Sequence, residues 1–89
     1  MEKLKKELRQ SVSEIRSRYE DDCAQFTIDL FDDIESNIED ITAEEVSTIL
    51  GSTSYRVSIA FEIVDPSLVD SLAIGALYIL FDKYSRQYS

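Results

Sequence analysis

The sequence has no histidine and no tryptophan, and only one cysteine, one proline and two glycines among 89 residues. Each scarcity removes a class of chemistry. Without histidine, the usual base that activates a serine or cysteine nucleophile is missing. The Glu-x-x-His pairs of di-iron bundles are missing for the same reason, and no Cys/His set exists to bind zinc. A lone Cys23 forms no internal disulfide, which suits a reducing compartment. Gly51 and Gly75 stand far apart, so no glycine-rich loop cradles a phosphate. The longest apolar run, LAIGALYILF at 72–81, spans ten residues where a membrane crossing needs about 20. The opening MEKLKKELRQ is charged with no apolar segment behind it, so no signal peptide is expected. These absences predict a cytoplasmic protein that is not an enzyme, with no cofactor, no metal and no small-molecule substrate.

A further absence is local. Residues 19–45, YEDDCAQFTIDLFDDIESNIEDITAEE, carry eleven carboxylates and no Lys or Arg. The net charge of −9 is therefore uneven: +3 over residues 1–18, −11 over 19–45 and −1 over 46–89. Direct nucleic-acid binding is not expected, because neutralising phosphates needs clustered cations and the nine here face eighteen acids. With 44% apolar residues the chain has enough hydrophobic material for a folded domain, unlike a disordered acidic tail. One domain is expected over 1–89, and a chain this short buries only about 60–65% of its unfolded surface.

What is present reads as mostly α, with one short strand. The first forty residues contain no Gly or Pro, and their apolar residues recur every eleven: Leu4, Ile15 and Phe26; Leu8, Tyr19, Leu30 and Ile41; Val12, Cys23 and Ile34. That spacing is about 3.67 residues per turn, so one long N-terminal helix is expected. The alternative is a break near Asp22, since Asp22 and Gln25 have capping-box spacing, but the unbroken period across residues 15–30 favours one helix. Thr42 and Glu45 form a second capping box, opening a short helix that Gly51 would end in a left-handed C′ position. Residues 55–64 then alternate, with Tyr55, Val57, Ile59, Phe61 and Ile63 on one side, and predict a strand; a helix using Val57, Ala60, Phe61 and Val64 is the weaker fit. Asp65 as N-cap and Pro66 at the first position start the apolar C-terminal helix.

Projected at 100° per residue, the apolar side chains of 19–41 fill an arc of about 140°. Asp21, Asp22, Asp29, Asp32, Asp33, Glu35, Glu39 and Asp40 fill the other side, so these acids form a face. They lack the loop spacing and the glycine of a calcium site. Two interlopers break the pattern: Ile28 falls among the acids and Asn37 among the apolar residues. The acidic face has three readings. It solubilises the chain, it receives a cationic partner, or it pairs with the basic first turns of a second copy. The last would set Lys3, Lys5, Lys6 and Arg9 beside Asp32, Asp33, Glu35 and Glu39.

Self-association is expected on two grounds. The C-terminal helix is apolar on every side from Leu72 to Phe81, and the strand has no partner strand in the chain. The interface residues this points to are Phe26, Leu30, Ile34, Tyr55, Val57, Ile59, Phe61, Leu72, Ala76 and Leu80, in an intertwined homodimer or higher oligomer. In composition alone the chain resembles small acidic immunity proteins, antitoxins and inhibitors that mimic nucleic-acid charge. The leading function is thus stoichiometric inhibition of a basic, nucleic-acid-acting protein through the acidic face. The alternative is a structural or chaperone-like homo-oligomer.

Overall fold

The computed structural model describes residues 1–63 and 65–88. Four α-helices follow in order: α1 (Glu2–Tyr19), α2 (Gln25–Glu39), α3 (Val46–Ile63) and α4 (Leu68–Tyr88). A single 3-10 turn, Glu20–Asp22, leads out of α1. The mostly helical expectation holds. Among the described residues there is no strand.

The long N-terminal helix does not run on. Cys23 and Ala24 adopt extended backbone (ψ 151° and 162°), and the chain reverses there into α2. Two amphipathic arms folded on each other each bury an apolar stripe, which one straight helix could not do within a single chain. Leu4, Leu8 and Val12 of α1 thereby meet Phe31, Ile34 and Ile38 of α2 in one core. The eleven-residue period survives within each arm; the turn between them is invisible to it.

The segment expected as a short helix and a strand is one continuous helix, α3. Val46, Leu50, Thr53, Ser54 and Val57 are its buried positions, at helical spacing. Gly51 lies in its interior, and no described residue has positive φ, so the left-handed C′ role is corrected. Val64, the last residue of the expected strand, lies outside the described residues. With 55–63 helical, the backbone groups of that segment bond within α3 and leave no strand edge to pair. The edge-pairing ground for oligomerisation falls with the strand. Thr42 does act as expected: its Oγ1 accepts the Glu45 N–H at 3.2 Å, leading into α3.

The start of α4 also shifts. Ser67, not Asp65, is the cap, and the helix begins at Leu68. The Asp70 N–H donates to Ser67 Oγ at 3.1 Å, while Ser67 N–H and Oγ–H donate to Asp70 Oδ2 at 3.3 and 2.7 Å. This is a reciprocal box with Asp at the third position. α4 lies along α3 over its length and also touches α1. Ala73, Ile74, Leu77 and Phe81 close the core.

Candidate functional site

Antiparallel packing of α1 on α2 brings the basic residues of the first helix against the acids of the second. Arg16 is the hub. Its Nε donates to Glu20 Oε2 at 2.7 Å and its Nη1 to Asp32 Oδ1 at 2.8 Å and to Glu35. The guanidinium also lies over the Phe31 ring, 5.8 Å from its centroid. Three carboxylates raise its pKa further above an already high ordinary value. About two turns nearer the N-terminus of α1, Arg9 donates to Glu39, and Lys5 Nζ donates to the Glu39 carbonyl at 2.8 Å. The bond to Arg9 lowers the Glu39 carboxyl below its ordinary range. Of the cation–carboxylate pairing imagined between two copies, Arg9 with Glu39 is made inside one chain, while Asp32 and Glu35 pair with Arg16 instead.

That seam divides the predicted acidic face. Glu35, Glu39 and Asp32 belong to it. Asp21, Asp22, Asp29, Asp33 and Asp40 are exposed, and among the described residues none has a cation within ion-pair distance. Asp29 accepts one bond, from Gln25 Nε2 at 3.0 Å. At 100° per residue Asp29, Asp33 and Asp40 fall on the side of α2 opposite Phe31, so they form an outward ridge. Their steps along the axis are about 6 and 10 Å. Glu44 and Glu45 follow, also exposed, in the turn before α3.

A different carboxylate is withdrawn from water. Asp70 is 3% exposed, and its Oδ1 accepts the Ala24 N–H at 2.9 Å and the Thr27 hydroxyl at 2.8 Å. Burial alone pushes such a group up, but the bonds from Ser67, Ala24 and Thr27 outweigh it and hold the carboxyl down at about 2. α2 has no side-chain cap of its own, so Asp70 serves the N-termini of two helices at once. Nearby Cys23 is half-buried; burial and the Asp70 charge push its thiol up to about 11. A thiol that stays protonated is a poor nucleophile.

Two further features bear on chemistry. A shallow groove of about 280 Å³ between α2 and α3 is lined by Asn37, Thr48, Ile49, Ser52, Thr53 and Arg56. It is open to solvent and Arg56 is its sole titratable group, so it pairs no acid with a base. Among the described residues no cluster of His, Cys, Asp or Glu is placed to hold a metal ion, and no helix is long and apolar enough to cross a membrane.

The residues predicted for an oligomer interface scatter. Ile34 and Val57 are sealed in the chain's own core, and Phe26, Leu30 and Leu80 pack partly against it. Ile59 and Ala76 are half-buried. Tyr55, Phe61 and Leu72 are exposed. The sequence reading missed Asp70, Thr27 and Ser67 altogether. The signal was there in Ser67-Leu-Val-Asp70, which has capping-box spacing and starts directly after the proline. Comparison with known protein families, with characterised proteins and with solved structures gives no match.

Proposed function

We propose that the chain is a stoichiometric protein-binding module that takes a basic, nucleic-acid-acting partner on the outer ridge of α2, as an inhibitor does. The observation that supports this is the division of the acids. The fold uses Asp32, Glu35 and Glu39 to join its own helices and, among the described residues, leaves Asp29, Asp33 and Asp40 without an ion-pair partner in a row along α2 and its C-cap. A surface of Lys and Arg built to neutralise phosphates meets the same sign of charge there, and a single-sign row speeds encounter. Solubility alone needs no such alignment.

The test uses the triple variant Asp29→Asn/Asp33→Asn/Asp40→Asn. The partner is first captured on the wild-type chain and eluted as salt rises from about 0.1 M to 1 M, over which the screening length falls from roughly 10 to 3 Å. Association kinetics are then compared between wild type and variant. A slower on-rate for the variant, with dissociation little changed, supports the ridge. Unchanged association, or aggregation of the variant with binding intact, overturns it in favour of a solubilising role.

A further inference from the structure

α4 is covered on one side only. Asp70, Ala73, Ile74, Leu77 and Phe81 face the core, and at 100° per residue the opposite line of the helix holds Leu68, Leu72, Gly75 and Ile79. Leu68 is 76% exposed, Leu72 49% and Ile79 71%. Phe61 of α3, itself 39% exposed, extends this line: its ring tip lies 3.9 Å from where a Cβ on Gly75 would sit. The apolar stripe runs about 16 Å along the helix. Single exposed leucines are ordinary, but a contiguous stripe marks an interaction surface.

The ends of the stripe carry opposite charges. Asp65 lies exposed before the first turn, and Lys83 and Arg86 lie exposed at the far end. An anionic lipid surface repels a chain of net charge −9. A cationic partner finds its carboxylates on α2 rather than here. A second copy of the chain fits both features. We propose that the stripe is a self-association face on which two copies pair with their α4 helices antiparallel, about a two-fold axis at Gly75 and Ala76.

That register places Leu72 of each copy on Ile79 of the other. Leu68 meets the aliphatic stem of Lys83, and Asp65 of each copy meets Arg86 of the other, so the charge pair forms twice. Arg86 bonds Asp82 at 2.9 Å within its own chain, and a guanidinium carries five N–H donors in all. At the axis the Phe61 ring of each copy lies against Gly75 and joins the contact. One helix and one ring from each copy bury an area at the low end for specific interfaces, below about 1,200 Å², so the dimer is a weak one. The pairing is independent of the acidic ridge on α2.

Sedimentation equilibrium over roughly 1–200 μM tests it, with circular dichroism as the folding control. Wild type should pass from monomer to dimer across that range. Leu72→Lys/Ile79→Lys, both outward positions, should weaken association about tenfold or more while the helical spectrum is unchanged. Asp65→Arg and Arg86→Asp should each weaken it, and the two together should restore it. A wild-type monomer throughout overturns the proposal. So does a dimer that survives the double lysine variant, a double reversal that fails to restore pairing, or a monomer that instead binds neutral lipid vesicles.

Discussion

Asp70 Oδ1 accepts the backbone N–H of Ala24 at 2.9 Å, joining the first turn of α4 to the first residue before α2 across 46 positions of sequence. Thr27 and Ser67 complete the set, so one buried carboxylate carries four hydrogen bonds. The reversal at Cys23 and Ala24 thus has a long-range cause. The local sequence contains no breaker, and the turn is fixed by a residue two helices away.

Removing that carboxylate leaves four donors, on Ala24, Thr27 and Ser67, without their acceptor. Asp70→Ala is expected to cost about 3 kcal/mol or more, since each orphaned group loses about 1–3 kcal/mol. Thr27→Val, which keeps the shape and deletes one hydroxyl, should cost about 1–2 kcal/mol. Urea melts followed by circular dichroism give both values. An Asp70→Ala variant within about 0.5 kcal/mol of wild type would contradict the role assigned to this group.

The same group sets an acid limb. Its folded-state pKa of about 2 lies below the ordinary 3.8, so the ionised form stabilises the fold. That stabilisation is complete above the ordinary value and is lost as pH falls from about 4 towards 2. A shift of this size corresponds to about 2 kcal/mol. The difference between wild type and Asp70→Asn, melted at each pH, isolates the Asp70 contribution. A difference that stays constant from pH 5 to 2 would be the contrary result.

Arg16 and Arg9 bridge the same two helices but should differ in weight. The Arg16 side chain is 24% exposed, has three carboxylate partners and stacks over Phe31. Arg9 is more exposed and rests chiefly on Glu39. Arg16→Met should cost about 1–2 kcal/mol, and Arg9→Met clearly less. Thermal melts at low and high salt check this, because the Arg16 loss should persist where exposed pairs are screened. Equal losses would mean that the seam is uniform and Arg16 is no hub.

The helical character of the chain and the amphipathic stripe of its first forty residues were legible because leucine, isoleucine and phenylalanine mark the buried face. In α3 the same rule misleads. Thr53 and Ser54 occupy core positions, with the Thr53 hydroxyl donating to the Ile49 carbonyl at 2.8 Å, while Tyr55 stands 66% exposed. Polar residues inside and aromatics outside hide a period of 3.6 and leave an accidental period of two at 55–63. On the acidic face, the number of carboxylates was readable but their division was not. Whether Asp32 is a partner-binding group or a structural one depends on where Arg16 arrives, and that depends on a turn whose one local sign, the Asp22–Gln25 spacing, is outweighed by the unbroken apolar period.

Gly51 offers the sharpest separation between the sequence pattern and the fold. As a left-handed C′ residue ending a short helix, it would resist any side chain, and Gly51→Ala would destabilise the protein. In the structure Gly51 lies inside α3 with no positive φ, and a Cβ built there meets only Ser85 Oγ, at 3.8 Å, an ordinary contact. Alanine in a helix interior is favoured over glycine by about 0.5–1 kcal/mol, through the unfolded chain's lost freedom and the higher helix propensity. Gly51→Ala is therefore expected to raise stability by that amount, a few degrees in Tm for a domain of this size. Thermal and urea melts on the single variant decide it. A gain supports continuous helix from Val46 through Gly51, whereas a loss of 1 kcal/mol or so would restore the broken helix and, with it, the strand at 55–64.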